Sequence, residues 1–161
     1  MADILNETFE NANIGFRNFS GEERKFNHKG DRNFVLFLDP ERAKDLEEKG
    51  WNVRYAKPRD PDDEPRGMIN VAVKYGRISP KIVLVTSEGK TQLIEDTVDI
   101  LDNAELDTVD LIIRPYQWER DDKSGVKAYL KTMYVTIVED DLDLKYSRRY
   151  DDDLDDEVPF D

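Results

Sequence analysis

The sequence predicts a mainly β chain: an OB-like small barrel or curled antiparallel sheet with one or two short helices, followed by a disordered acidic C-terminal tail. Three observations carry this prediction. Roughly five to seven short segments rich in β-branched and aromatic residues are separated by Gly, Pro and Asp turns. Helical signals are confined to the segment after Asp39 and to residues 93–101. Beyond Val138 aliphatic residues thin out and Asp dominates, so that end cannot bury enough apolar surface to offset its ordering entropy. An SH3-like barrel or another β-sandwich gives nearly the same strand pattern. A chain of 161 residues is long enough for one core and rarely two. The expected division is a folded domain over 1–146 and a tail over 147–161.

Residues 13–19 (NIGFRNF) and 32–38 (RNFVLFL) read as two strands joined by a basic, glycine-containing loop at 21–31. Asp39-Pro40 then starts a helix, with Asp39 as N-cap and Pro40 at the first helical position, and Gly50 stands where a left-handed C-terminal residue is wanted. Residues 51–57 alternate as a half-buried strand with Trp51, Val53 and Tyr55 on one face. The proline- and charge-rich segment 57–67 is a loop. Residues 68–75 and 81–86 read as a hairpin, and Gly89-Lys90-Thr91 as a turn leading into a second helix, where Ile94, Val98 and Leu101 recur at helical spacing. The last ordered unit is a long hairpin of residues 109–118 and 126–138 around a turn at 120–125.

Charge is distributed unevenly. The formal net charge is −13, but residues 139–161 hold eleven acids against Lys145, Arg148 and Arg149. Residues 91–111 carry seven acids and no base, whereas 66–90 carry Arg66, Lys74, Arg77, Lys81 and Lys90 against Glu88 alone. Acid and base thus occupy different pieces of the chain, and the strands are locally basic.

The sequence finishes with an acidic run leading into a small apolar tip, Asp151 to Asp161. Such a segment works as a portable ligand: carboxylates steer it to a basic surface, and a desolvated Pro-Phe tip anchors it in a pocket. The stretch Asp155-Asp156-Glu157-Val158-Pro159-Phe160 resembles the acidic C-terminal tip of bacterial and phage single-stranded DNA-binding proteins, although here Asp161 follows the phenylalanine that usually ends that tip. The resemblance covers about ten residues, and the rest of the chain is only loosely reminiscent of phage-encoded members. It implies an OB domain that coats single strands. It also implies that Asp155, Asp156, Glu157, Val158, Pro159 and Phe160 bind replication, recombination and repair proteins.

Sequence-neutral binding of single strands needs cations along the backbone path and aromatic faces on which bases stack, both on one surface. Lys127, Tyr129 and Lys131 alternate with Val126, Ala128 and Leu130, so a cationic and aromatic row opposes an apolar one. Arg114, Tyr116 and Trp118 have the same period on the facing strand, and the six together form the first candidate platform. The bland reading makes Tyr116 and Trp118 ordinary core or edge aromatics. A second candidate is the basic loop with Arg24, Lys25, Phe26, His28 and Lys29, joined by Arg32, since a flexible basic loop with an aromatic can close over a strand. A third is Arg54, Tyr55, Lys57 and Arg59.

Other chemistry finds little support. There is no cysteine, and His28 is the single histidine, so neither a disulfide framework nor a nucleophile paired with a base is expected. No phosphate-binding glycine loop or EF-hand spacing appears. The expectation is a non-enzymatic protein without cofactor or metal that coats and protects single-stranded DNA, in the cytoplasm of a bacterium or phage-infected host, with no membrane partner and with homo-oligomerisation left open. The alternatives are an acidic DNA mimic that inhibits a DNA-binding enzyme, and an accessory viral protein whose tail only solubilises it.

Overall fold

The computed structural model describes residues 4–25, 27–58 and 60–139. The expected tail, Asp155 to Phe160 included, lies outside the described residues, as do Phe26 and Arg59. In chain order the elements are β1 (Glu7–Phe9), β2 (Asn13–Asn18), β3 (Arg32–Leu38), α1 (Pro40–Glu48), β4 (Arg54–Ala56), β5 (Arg66–Val73), β6 (Lys81–Thr86), β7 (Gly89–Leu93), a 3-10 helix (Val98–Asp102), β8 (Leu106–Arg120) and β9 (Lys123–Ile137).

All nine strands belong to one sheet, whose main path runs β1-β8-β9-β5-β3-β2, with β4 paired to β5 and β7 to β6. Among the described residues no pairing joins β1 to β2, so the path has two free ends. The domain is therefore an open sheet with one α-helix, and the expected OB-like barrel or curled antiparallel sheet is corrected. The antiparallel part of that expectation fails as well: β9 runs parallel to β5 at Val71↔Ala128 and Ala72↔Tyr129, and parallel to β6 from Lys81↔Thr132 to Val85↔Thr136. Two neighbours share one edge of β9. Its fifteen residues exceed what one short neighbour can cover, and β5 and β6 line up along that edge one after the other.

Other local expectations divide along similar lines. The hairpin expected between 68–75 and 81–86 does not form, because both segments pair with β9 instead of with each other. Gly89-Lys90-Thr91 is the start of β7, paired with β6 from Thr86↔Gly89 to Ile82↔Leu93. The second helix shrinks to one 3-10 segment that buries Val98 and Leu101 while Ile94 stays exposed.

The first helix forms as its ends dictate. The Asp39 carboxylate accepts from the Arg42 N–H at 2.7 Å, and Pro40 occupies the first turn. At the other end Gly50 takes φ 101°, with its N–H donating to the Glu47 carbonyl and the Trp51 N–H to the Leu46 carbonyl. This Schellman pattern satisfies carbonyls that a helix end leaves free. Trp51 is turned back into the core.

One face of the sheet makes that core. Phe34, Leu36 and Leu38 of β3, Ile69, Val71 and Val73 of β5 and Ala128 and Leu130 of β9 are buried together with Ala43 and Leu46 of α1. A Cβ on Gly67 would lie 2.5 Å from Ala43 Cβ, so the helix rests directly on the β5 backbone. The acidic segment joins the fold through its carboxylates: Asp102 accepts from the backbone N–H groups of Phe19 and Ser20 at 2.6 and 3.0 Å, and Asp110 from Asn11 at 2.8 Å. Arg17 in return donates to the Leu101 and Ala104 carbonyls, both at 2.7 Å.

Candidate nucleic-acid interface

Strand pleating sends alternate residues to the face opposite the core. On β3 these are Asn33, Val35 and Phe37; on β5 they are Met68, Asn70 and Ala72. Register continues the rows across the sheet. Asn33 pairs with Ala72, Ala72 with Tyr129, and Tyr129 with Arg114. Val35 pairs with Asn70, beside which Lys127 pairs with Tyr116. Trp118 pairs with Gly125 one step further along the hairpin.

The structure therefore brings five of the six hairpin residues into one cluster. Tyr129 is its centre: the Arg114 guanidinium lies 4.9 Å and Lys127 Nζ 5.3 Å from the ring centroid, and Tyr116 meets it edge-on at 5.8 Å. Tyr116 and Trp118 are 51 % and 38 % exposed, which the core reading of these rings does not predict. The sixth, Lys131, is exposed on β9 next to the register shift opposite Ile112 and Ile113. The hairpin is longer than expected, its strands continuing to Arg120↔Lys123, and residues 116–124 are all exposed. The indole of Trp118 sits against position 125, which has no side chain; a Cβ there would fall 2.7 Å from Trp118 Cζ2 and 2.9 Å from Cε2 and Nε1.

Three adjoining hollows continue this cluster across the sheet as a groove. One is lined by Arg54, Asn70, Trp118 and Lys127, the next by Phe16, Arg24, Lys25, Asn33 and Asn70, and the last by Arg32, Asn33, Asn70, Lys127 and Tyr129. At the far end Phe16, 72 % exposed, stands 6.1 Å from Phe37, over whose ring Arg66 sits at 4.3 Å. The two acids lining the third hollow are Asp31 and Glu95, and Glu95 is paired with Arg32 at 3.2 Å. Burial, foremost, pushes the Tyr75 phenol above its ordinary pKa, with Arg32 opposing and Glu95 adding to the shift. It remains a neutral lining group.

The basic loop divides. Its ends are pinched by the Gly30 N–H donating to the Gly21 carbonyl at 2.8 Å, and Asn27 Nδ2 bonds the Glu22 and Asp31 carbonyls at 2.9 Å each. Arg24 and Lys25 are thereby held on the groove, whereas His28 and Lys29 are exposed and absent from its lining. Arg32 reaches it with a half-buried guanidinium stem, its Nε donating to the Phe19 carbonyl at 3.0 Å.

The third candidate group is split by β4. Arg54 pairs with Met68 and faces the groove, but Tyr55 pairs with Gly67, on the helix side. Its hydroxyl donates to Glu47 Oε2 at 2.6 Å, and that bond raises the phenol pKa. Lys57 lines a further hollow of about 880 Å³ near the start of α1, with Phe9, Phe37, Arg42, Pro58, Asp63 and Arg66. That hollow mixes both charges and offers no run of rings. The groove residues missing from the sequence reading include Phe16, Asn33, Val35, Met68 and Asn70; Phe37 and Arg66, also missing from it, line the adjoining hollow of Lys57. Their signal was present in 32–38, where apolar residues occupy both faces of the strand, a pattern that reads equally well as a fully buried strand.

Among the described residues no cluster of His, Asp or Glu has the makings of a metal site, and no helix is long and apolar enough to cross a membrane.

A family model described as "Putative phage ssDNA-binding domain" matches residues 2–157. No curated protein matches the chain. Among solved structures, the single-stranded DNA-binding protein from bacteriophage Enc34 is similar in fold, with 11% identity, a TM-score of 0.55 and coverage of 84% of this chain and 82% of that one. The same phage protein in complex with ssDNA gives 11% identity, a TM-score of 0.56 and coverage of 84% and 88%. Its C-terminal truncation gives 12%, 0.52, and coverage of 84% and 87%.

Proposed function

Because this chain belongs to the phage ssDNA-binding domain family, and is thus a DNA-binding protein and not an enzyme, we propose that it coats and protects single-stranded DNA during phage replication, recombination or repair. The strand lies along the groove on the non-core face of β3, β5, β9 and β8. The observation that carries this reading is the Arg114, Tyr116, Trp118, Lys127 and Tyr129 cluster, where the exposed rings of Tyr116 and Trp118 and the half-buried ring of Tyr129 share one face with two cations. Bases stack on the rings, and Arg24, Lys25 and Arg54 follow the phosphates. The mimic reading finds less support, because Glu95, Asp102 and Asp110 are engaged in bonds that hold the fold together.

The tail, residues 147–161, is the recruiting element in this account, with Asp155, Asp156, Glu157, Val158, Pro159 and Phe160 docking on replication or recombination proteins in the infected cell. Its support is the resemblance of the acidic Pro-Phe tip.

The test is titration of labelled oligo-dT at several salt concentrations. Affinity is expected to fall linearly on a log–log plot, by a slope of about 0.7 per neutralised phosphate. Deleting residues 147–161 is expected to raise the affinity, most at low salt and so with a steeper slope, since the tail's charge competes for the same cations and salt screens that competition, while capture of recombination proteins is lost. Salt-independent binding contradicts the proposed groove.

A further inference from the structure

Asn70 is the one side chain that lines all three hollows of the groove. It is an unusual residue for its place. Asparagine is disfavoured in strands; here it pairs with Val35 of β3 on one side, and on the other it stands in the gap between Met68, where the pairing with β4 ends, and Val71, where the pairing with β9 begins. Around it the same face carries Val35, Met68 and Ala72. Asn70 is exposed, and its amide makes no hydrogen bond among the described residues.

The neighbouring asparagine differs. Asn33 donates through Nδ2 to Asn27 Oδ1 at 2.7 Å, which commits its amide to buttressing the basic loop. Among the described residues Asn70, like Asn52 in the first hollow, keeps both a donor and an acceptor free, and of the two only Asn70 lines all three hollows. It stands beside Lys127 and two residues, about 7 Å along the strand, from Ala72, the partner of Tyr129. A base stacked on Tyr129 or Tyr116 therefore has this amide within reach of its edge.

We infer that Asn70 is a selectivity residue for single strands, its amide pairing with the Watson–Crick edge of a stacked base. The inference rests on the groove proposed above as the DNA path. Every base offers a donor next to an acceptor on that edge: N6–H and N1 of adenine, N4–H and N3 of cytosine, N1–H and O6 of guanine, N3–H and O4 of thymine. A primary amide that is free to rotate matches each of them, presenting oxygen to the donor and NH₂ to the acceptor. Such a contact tolerates sequence. It cannot form with a duplex, whose edges are already paired, and so adds to the preference given by ring stacking, which needs an unstacked base, whereas phosphate contacts alone discriminate less.

The experiment compares the full chain with Asn70→Ala and Asn70→Val on oligo-dT, with oligo-dC as a second sequence, and on two further probes, an abasic oligonucleotide of the same length and a hairpin duplex. Valine suits a strand better than asparagine, so this variant is expected to melt no lower than the original. Both variants are expected to bind oligo-dT roughly tenfold more weakly, the loss for a bidentate contact, and oligo-dC by a similar factor. Binding to the abasic strand and the duplex stays within about twofold. Unchanged oligo-dT affinity, or equal loss on oligo-dT, the abasic strand and the duplex, overturns the inference. Failure of the original chain itself to bind oligo-dT removes the proposed function and this inference together, an outcome distinct from a silent Asn70.

Discussion

Alanine at both Trp118 and Tyr129 is expected to weaken binding of oligo-dT at least thirtyfold, as read by fluorescence anisotropy at fixed salt. Stacking contributes roughly 1–3 kcal/mol per base, and two platforms are removed. Tyr129 also organises its neighbours, because Arg114 and Lys127 both lie over its ring and Tyr116 packs against its edge. All cations remain in this variant, so the salt dependence should keep its slope while the whole line drops. A loss smaller than threefold means that the rings do not carry bases and that the cluster is held for packing alone.

The second large effect concerns stability. Phe34→Ala is expected to cost about 3–5 kcal/mol and to lower the melting temperature by roughly 10–20 °C. Phe34 is fully buried and stacks on Phe19 with centroids 5.4 Å apart. Phe37, three residues on, faces the other way, against Phe16 and Arg66. Its replacement by alanine should lower the melting temperature by only a few degrees and instead show in DNA affinity. Scanning calorimetry of the two variants separates the faces of β3; equal destabilisation by both contradicts the division into core and groove.

Where sequence reading succeeded, local chemistry was decisive. Asp39, Pro40 and Gly50 specify the ends of α1 through bonds made within a few residues. The final hairpin announced its faces through the alternation of Lys127, Tyr129 and Lys131 against Ala128 and Leu130, and its register places Arg114, Tyr116 and Trp118 beside them.

The failures arise where the determining contact is distant. Nothing in residues 68–75 or 81–86 says that each will run parallel to β9, because pairing across some fifty residues is chosen by how the whole sheet covers its apolar face. Gly89–Leu93 contains one apolar residue and buries only Leu93, so it shows no strand period. Tyr55 looked like a partner for Arg54, yet in a strand neighbouring side chains point to opposite faces, and its hydroxyl goes to Glu47. Asn70 and Phe37 were passed over because their strands are apolar enough to be read as buried throughout.

Tryptophan emission tests the proposed DNA path most directly. The sequence has two tryptophans; Trp51 is 3 % exposed beneath α1 and Trp118 is 38 % exposed on the hairpin. Titration with oligo-dT is expected to quench the Trp118 component in step with binding, leave the Trp51 component unchanged, and show no quenching in Trp118→Phe. Saturated binding with both emissions unaltered would place the strand elsewhere on the molecule.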